Sequence, residues 1–349
     1  MKRWIFVSML AVAVVGCEAA SPTADEISIH FIWDYAAGDY VRAAPTVSGE
    51  VAYLGADDNV LHAIDVRTGE GLWVYETADN ITSSPAVLGA SIYFGSWDAA
   101  VYALEATQGE LRWRYETDGW VTASPVIGGD VVYVGSHDGF FYALAAEDGD
   151  LLWRYETGGA IEAGAALVED LVLVGSMDNY LYALDITSGK LRWRYRTEGD
   201  IVSTPAVAAG TVYVGSVDQK FYALDGASGR PKWTFRAEYA IESSPLVSDG
   251  MVYFGANDGR LYALRASDGQ LIWRFQAKDI IRSSPVVWEN LVFVGSDDGY
   301  LYGVERRTGA VGWSYHTGDA IAAGPVVAGE TLFVGSTDRR LHAFSLGGE

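Results

Sequence analysis

Apolar and polar residues alternate along much of this chain, and the alternation is clearest in residues 181–195. Two runs with a period of two residues flank a turn of the form Asp185-x-x-Ser188-Gly189. Strand side chains alternate between two faces, and glycine supplies the positive φ that a short loop with a bulge requires. The segment therefore predicts a β-hairpin, which cannot bury its apolar face in water by itself.

This hairpin belongs to a unit that is repeated every 40 residues without an insertion or deletion. Tryptophan, glycine and aspartate all keep the step. The positions are Trp33, Trp73, Trp113, Trp153, Trp193, Trp233, Trp273 and Trp313; Gly55, Gly95, Gly135, Gly175, Gly215, Gly255, Gly295 and Gly335; and Asp58, Asp98, Asp138, Asp178, Asp218, Asp258, Asp298 and Asp338. A fixed period of this length is typical of solenoids, propellers and other arrays.

Each unit contains four short strand patterns and no helical pattern. In one unit the strands are predicted at residues 202–207, 212–216, 221–225 and 232–235, from the innermost to the outermost. We therefore expect an all-β fold, an eight-bladed β-propeller of four-stranded, 40-residue repeats.

The two ends of the repeat region each hold an incomplete unit. Residues 28–36 contain Trp33 without upstream strands, and residues 322–346 end before a tryptophan strand. The two fragments together make one blade. We expect the N-terminal strand to close the last blade as its outermost strand, which avoids an exposed sheet edge.

Three repeated residue types have structural explanations. Proline occurs on the predicted inner strand of seven units, with Ala165 as the exception, and suits an edge strand that faces a central channel. The tryptophans are expected to pack one blade against the next. The aspartates are expected to bond the backbone of their own turns, because a calcium site needs roughly six to eight oxygens at one point and these residues are dispersed one per blade.

Two segments show a likeness to a known family. Ala183-x-Asp185-x-x-Ser188-Gly189-Lys190-x-x-Trp193 and Ala63-x-Asp65-x-x-Thr68-Gly69-Glu70-x-x-Trp73 resemble the tryptophan-docking repeat of the quinoprotein (PQQ-like) propellers. The resemblance covers residues 28–346 and implies the propeller fold. The family includes PQQ-dependent dehydrogenases and a non-catalytic lipoprotein of outer-membrane β-barrel assembly.

The resemblance leaves two kinds of function open. The dehydrogenases hold PQQ with a calcium ion, a catalytic Asp and, commonly, a disulfide between adjacent cysteines, whereas Cys17 is the single cysteine here. No long insertion between strands is present to build a lid. We expect no enzymatic activity, cofactor or metal, and a protein-interaction scaffold that acts in outer-membrane β-barrel assembly. The alternative is a PQQ- or small-molecule-binding propeller, either a dehydrogenase or a ligand sensor.

The N-terminal residues have the pattern of an export signal. Lys2 and Arg3 precede an apolar run at residues 4–15 that ends at Cys17, which resembles a lipobox. We expect a signal peptide at residues 1–16, a lipidated Cys17 with a flexible tether at residues 17–27, and the propeller at residues 28–349. Glu18 favours the outer membrane, facing the periplasm. The alternative is an ordinary secretory signal with an incidental cysteine.

Charge limits the partners. The chain has 24 basic and 46 acidic residues, a net charge of −22. This sign disfavours nucleic acid and anionic lipid surfaces, so membrane contact is expected through the lipid anchor alone. We expect a monomeric propeller that binds a protein partner, which the resemblance implies to be the outer-membrane β-barrel assembly machinery.

Positions that differ between the copies can serve an asymmetric partner. Two variable segments, the link between blades and the loop before the third strand, are expected to open on one face. Around blades 2 to 4 they carry the candidate partner-binding residues Trp97, Trp120, His137, Phe140, Met177 and Tyr180. Exposed aromatic residues in one sector are typical of a binding hot spot, and the alternative is that they pack against neighbouring loops. Around blades 7, 8 and 1 the segments are charged, with Arg42, Asp57, Asp279, Asp297, Asp319, Arg339 and Arg340.

Overall fold

Eight four-stranded antiparallel sheets make up the part of the chain that the structure, a computed structural model, describes: residues 28–347. The predicted signal peptide, Cys17 and the tether lie outside the described residues. Every regular secondary-structure element between residues 28 and 347 is a β-strand. In that range there is no helix long and apolar enough to cross a membrane.

The strands are numbered along the chain, and each blade runs from its innermost to its outermost strand. The chain begins with β1 (Ile29–Ala36). Blade 1 contains β2 (Thr46–Ser48), β3 (Val51–Gly55), β4 (Val60–Asp65) and β5 (Gly71–Glu76); blade 2 contains β6 (Ala86–Leu88), β7 (Ser91–Ser96), β8 (Ala100–Glu105) and β9 (Leu111–Glu116); blade 3 contains β10 (Val126–Gly128), β11 (Val131–Gly135), β12 (Phe140–Ala145) and β13 (Leu151–Glu156); blade 4 contains β14 (Ala165–Val168), β15 (Leu171–Gly175), β16 (Tyr180–Asp185) and β17 (Leu191–Arg196).

The second half repeats the pattern. Blade 5 contains β18 (Ala206–Ala208), β19 (Thr211–Gly215), β20 (Lys220–Asp225) and β21 (Pro231–Arg236); blade 6 contains β22 (Leu246–Ser248), β23 (Met251–Gly255), β24 (Arg260–Arg265) and β25 (Leu271–Gln276); blade 7 contains β26 (Val286–Trp288), β27 (Leu291–Gly295), β28 (Tyr300–Glu305) and β29 (Val311–His316); blade 8 contains β30 (Val326–Ala328), β31 (Thr331–Ser336) and β32 (Arg340–Leu346).

The N-terminal strand completes blade 8. The sheet order is β1-β32-β31-β30, and the β1–β32 register runs from Ile29 opposite Leu346 to Ala36 opposite Arg340. The predicted eight-bladed fold and its closure by the N-terminal strand are both confirmed. The first and last strands of the described range thus share one sheet.

The hairpin chemistry is visible at the turn between β16 and β17. The Asp185 carboxylate oxygen Oδ1 accepts hydrogen bonds from the Ser188 backbone N–H at 2.8 Å and from the Ser188 hydroxyl at 2.7 Å. Gly189 has φ +65°, a conformation that costs glycine little. A register shift follows between Ala183 and Leu184, so the hairpin has the bulge that the sequence predicts.

The repeated tryptophans connect adjacent blades. In blade 4, the Trp193 Nε1 donates to the Gly226 carbonyl in blade 5 at 2.9 Å. A Cβ atom built on Gly229 would lie 2.5 Å from Trp193 Cε3, so the indole packs directly on this glycine. Seven of the eight tryptophans donate to a carbonyl 33 residues further on. The tryptophans therefore couple blades through packing and hydrogen bonding together.

The prediction for the inner strands is wrong at their beginning. Strand β18 starts at residue 206, not at 202, and Pro205 lies just before it. The reason is that the Thr204 backbone N–H donates to the Ser244 hydroxyl of the next blade at 2.9 Å, and Pro205 has no N–H to donate. The Ser244 N–H donates in the same way to the Ser284 hydroxyl at 3.2 Å. These residues join blades around the channel and leave only three residues for the inner ladder.

Candidate functional site

A ring of eight side chains surrounds one mouth of the central channel. Each blade contributes one residue, three positions before the innermost strand in blade 4 and four positions before it in the other blades, and consecutive ring residues are 40 positions apart in the sequence. The ring residues, in blade order, are Arg42, Thr82, Thr122, Glu162, Val202, Glu242, Arg282 and Ala322. All eight line a single cavity of about 400 Å³, which therefore lies on the propeller axis.

A second layer of side chains lies beside the ring, from the loop between the second and third strands of each blade. In five blades the ring residue contacts the residue 15 positions further on, whereas the Glu162 carboxylate of blade 4 lies 3.4 Å from His137 of blade 3. The Trp97 Nε1 donates to the Thr82 hydroxyl at 2.8 Å, and the Asn257 amide donates to the Glu242 carboxylate at 2.7 Å. In blades 1, 2, 3, 6 and 7 the second layer therefore holds the ring residue by a hydrogen bond or an ion pair.

Three of the predicted partner-binding residues meet at the cavity. The Trp97 and Trp120 rings stack with centroids 4.8 Å apart and an interplanar angle of 17°, and the Trp120 and His137 rings are 5.5 Å apart. His137 Nε2 is 3.0 Å from the Thr122 hydroxyl. Trp120 is 48% exposed, so the stack forms an aromatic wall at blades 2 and 3 with one edge open to solvent.

The other three predicted residues do not line this cavity. Phe140 and Tyr180 begin the third strands of their blades, where Arg154 lies 4.5 Å from the Phe140 ring centroid and Arg194 lies 4.7 Å from that of Tyr180. Met177 occupies the second layer in blade 4 and is 37% exposed. Trp97, Trp120 and His137 thus line the cavity, whereas Met177, Phe140 and Tyr180 lie outside its lining.

Two arginines occupy the ring in blades 1 and 7. The Arg42 guanidinium is 3.1 Å from Asp57, and the Arg282 guanidinium bonds to Asp297. The arginine side chains are 43% and 44% exposed, whereas the aspartate side chains are 6% and 12% exposed. The buried carboxylates therefore fix the arginine side chains in place, while the guanidinium groups keep some N–H donors free to face the cavity.

The buried aspartates and their arginines influence each other's protonation. Burial raises the pKa of Asp57, and the charge of Arg42 acts in the opposite direction. The hydrogen bond to Asp297 raises the pKa of Arg282, burial lowers it, and the charge of Glu242 adds to the rise. Arg282 is thus held as a cation beside a carboxylate of the neighbouring blade.

The sequence analysis missed Glu162, Glu242 and Arg282. These residues lie in the link between blades, at the repeat position of Arg42, and of the ring only Arg42 is named as a candidate from the sequence. The sequence does contain a signal for these residues, because their repeat position varies between copies. It is occupied by arginine, threonine, glutamate, valine or alanine in a unit that otherwise changes little. Only the three-dimensional structure, in which the eight blades form a closed ring, shows that Glu162, Glu242 and Arg282 line one cavity.

The eight repeated aspartates serve the blades and not the cavity. In blade 4, the Asp178 Oδ1 accepts from the Tyr180 backbone N–H at 3.0 Å. Its Oδ2 accepts from the Tyr182 hydroxyl at 2.5 Å and from the Gly158 N–H, in the link from blade 3, at 2.7 Å. The aspartate therefore bonds its own turn, as the sequence predicts, and also ties the incoming link to the blade.

The cavity residues do not fit a calcium–quinone centre of the kind that the family resemblance implies for the dehydrogenases. Residues 28–347 contain no cysteine, so no cysteine pair is present there. In the same range no group of three or more His, Cys, Asp or Glu side chains is placed to hold a metal ion. The two carboxylates nearest the arginines are already engaged by them.

One family model matches the propeller in three overlapping segments. The family model described as outer membrane protein assembly factor BamB matches residues 30–95, 76–163 and 156–347. A comparison with curated protein sequences gives no match.

Solved structures of several kinds share the fold. BamB from Moraxella catarrhalis has a TM-score of 0.81 and 21% identity, with 92% of this chain and 99% of that chain covered. The computationally designed Ika8 protein has a TM-score of 0.82 and 16% identity, with 90% and 99% covered. Quinohemoprotein alcohol dehydrogenase from Comamonas testosteroni has a TM-score of 0.79 and 18% identity, with 92% and 77% covered. At these identities the similarity concerns the fold.

Proposed function

Because the chain belongs to the family of the outer membrane protein assembly factor BamB, we propose that it is a non-catalytic interaction scaffold of the cell envelope that takes part in outer-membrane β-barrel assembly. The observation that carries the proposal is the match of the family model along the propeller, from residue 30 to residue 347. The cavity residues support it, since they do not fit the metal centre that the resemblance implies for the dehydrogenases.

The docking face is the one that carries the aromatic wall. Trp120 is 48% exposed although its ring is held on one side by Trp97, so it presents a preorganised aromatic edge. Large aromatic residues dominate the binding energy of protein interfaces, and ordering them beforehand reduces the entropic cost of association. Met177 and the arginine-covered rings of Phe140 and Tyr180 extend the same sector toward the side of blades 3 and 4.

The proposed location is the outer membrane, facing the periplasm, with Cys17 as the lipidated residue. The tether at residues 18–27 is rich in small and acidic residues and suits a flexible connection to the membrane. Mass spectrometry of the N-terminal peptide tests the modification. Cys17→Ser is expected to release the protein from the membrane fraction with its folding unchanged.

Crosslinking in intact cells tests the scaffold function. A photoreactive residue at position 120 is expected to capture a component of the β-barrel assembly machinery, identified by mass spectrometry. The matched control is the same residue at position 130, in the exposed turn at the opposite end of blade 3. Equal capture at both positions would contradict docking through the aromatic wall.

A dehydrogenase is the competing function, and it has its own test. If no protein is captured at position 120 from folded, membrane-bound material, the purified protein is titrated with PQQ and calcium. Dye reduction by an alcohol or sugar in that mixture would replace the scaffold proposal with an enzymatic function.

A further inference from the structure

Two opposite charges lie side by side in the ring without pairing. Glu242 and Arg282 belong to the adjacent blades 6 and 7, and the charge of Glu242 contributes to the raised pKa of Arg282. Each is bonded to its own second-layer residue, Glu242 to Asn257 and Arg282 to Asp297. Among the ion pairs of residues 28–347, none joins Glu242 to Arg282. A carboxylate and a guanidinium are therefore held next to each other and face the same cavity.

The aromatic wall lies across the cavity from these charges. In a ring of eight blades, the junction of blades 6 and 7 is opposite the junction of blades 2 and 3. Trp97, Trp120 and His137 occupy that second junction, and they line the same cavity as Glu242 and Arg282. The cavity thus offers an acceptor and a donor for opposite charges at one side and an aromatic surface at the other.

We propose that this cavity binds a small zwitterion with an aromatic ring, such as a free aromatic α-amino acid. The ligand's ammonium group donates to the Glu242 carboxylate, and its carboxylate accepts from the Arg282 guanidinium. Its ring lies against the Trp120 side of the cavity. The cavity volume of about 400 Å³ is within the range of small-molecule sites.

The charge distribution selects a zwitterion over a simple anion or cation. A carboxylate without an ammonium group would meet Glu242 and Glu162 in a protein of net charge −22. An amine without a carboxylate would bring a like charge to the Arg282 guanidinium. A ligand with both groups satisfies both ring residues, which are fixed in place by Asn257 and Asp297.

This proposal does not depend on the scaffold function, because binding is measured on the purified protein without a partner. Isothermal titration calorimetry with L-tryptophan tests it, with tryptamine and 3-indolepropionate as ligands that lack the carboxylate and the ammonium group respectively. Each analogue is expected to bind about tenfold more weakly, the effect of one lost charge-assisted hydrogen bond. No heat with L-tryptophan up to about 10 mM would overturn the proposal, since a millimolar Kd is detected there. Equal affinity for all three ligands would also overturn it.

Two variants test whether the ligand's ammonium group binds at Glu242. Glu242→Gln keeps an acceptor for Asn257 but removes the charge, and it is expected to weaken L-tryptophan about tenfold. The same variant is expected to bind 3-indolepropionate no more weakly than the parent protein, because this ligand has no ammonium group to lose a partner and is repelled by the Glu242 charge. Glu330→Gln removes the same charge from the exposed turn between β30 and β31, at the opposite end of blade 8, and is expected to leave L-tryptophan binding unchanged. Equal loss in both variants would mean that net charge, and not a built site, governs binding, and would overturn the proposal. Tighter binding of PQQ than of L-tryptophan would overturn it as well.

Discussion

At the scale of single residues, blade coupling depends on tryptophan packing against glycine. Trp193 reaches from blade 4 to blade 5, where it bonds to the Gly226 carbonyl and packs on Gly229. Trp193→Ala leaves a cavity and removes the hydrogen bond, so we expect the free energy of unfolding to fall by about 3–5 kcal/mol. Urea denaturation measures the change. An unchanged unfolding midpoint would contradict the packing role.

A pair of glycine variants separates this packing from backbone strain. Gly229 and Gly89 both have positive φ, +67° and +58°. A Cβ at Gly229 meets Trp193 at 2.5 Å, whereas a Cβ at Gly89 meets nothing within 4 Å. We expect Gly89→Ala to cost about 1–2 kcal/mol of unfolding free energy, the strain of a left-handed residue, and Gly229→Ala to cost clearly more. Equal losses would show that the indole moves aside.

In blades 1 and 8, a histidine takes the place of the tyrosine that bonds to the repeated aspartate in the other blades. His62 contacts Asp58, and His342 contacts Asp338. Burial tends to raise the pKa of Asp58, but hydrogen bonds from His62 and from the Gly38 and Val60 backbone N–H groups outweigh it, and the pKa is lowered. A lowered folded-state pKa adds stability above the ordinary value of 3.8, and that stability is lost as the pH falls through the folded-state pKa.

Asp58→Asn tests this dependence. At pH 7 the variant is expected to lose about 1–3 kcal/mol of unfolding free energy, because the charge is removed and the amide NH₂ group cannot accept the hydrogen bond that one carboxylate oxygen accepted. The difference from the parent protein should shrink as the pH falls below 3.8. Urea melts between pH 7 and pH 2 measure it, with the exposed-turn variant Asp130→Asn as the control. A difference that stays constant with pH would contradict the argument.

At the scale of the elements, the sequence predicts most strands because the alternation of residues is local. The strands of blade 5 after the first are found within a residue or two of their predicted ends. The innermost strand differs because the Thr204 N–H is used between blades and not in the ladder, which no single repeat reveals. The candidate site could also be predicted only in part. Trp97 and Trp120 are recognisable in the sequence as aromatic residues outside the repeat pattern, but Arg282 is recognised as a site residue only when the closed ring places it in the cavity.

The outermost strands differ in how well they are protected against pairing with other chains. Strands β9, β13, β17, β21 and β25 carry Lys or Arg, whereas β1, β5 and β29 carry none. On β5, Leu72 is 52% and Val74 is 60% exposed. Edge strands that expose apolar residues without a basic residue are sites of aggregation, and lysine on the edge opposes it. Blade 1 is therefore the weakest point of the outer surface.

Leu72→Lys is expected to slow aggregation of the folded protein while its melting temperature stays the same, because the side chain is exposed. Light scattering over time at high protein concentration measures the rate. Leu152→Lys is the matched control, since Leu152 is also 52% exposed but lies on a strand that already has Arg154. An equal effect of both substitutions would mean that added charge alone, and not the unprotected edge, is responsible.

At the scale of the whole molecule, each blade buries its apolar residues against the blade before it, and because the blades form a ring, blade 1 packs in the same way against blade 8. Each core cluster combines residues of two adjacent blades; one cluster joins Trp33, Phe333 and Ala343 of blade 8 to Leu54 and Ile64 of blade 1. A ring cavity with unlike charges on its sides can exist only when all eight blades hold their places. Closure at β1 is therefore the step on which both the fold and the cavity depend.

Deletion of residues 28–36 tests this dependence. Without β1, strand β32 becomes an open edge and blade 1 loses the packing of Trp33, which is 8% exposed and bonded to the Val66 carbonyl at 3.0 Å. We expect the shortened protein to lose its near-ultraviolet circular dichroism and to elute as aggregates in size-exclusion chromatography. A synthetic peptide of residues 28–38 added in excess should restore the monomer, and the same peptide with Trp33→Ala should not. A shortened protein that remains monomeric with the parent unfolding midpoint would mean that contacts between blades 8 and 1 close the ring without the strand.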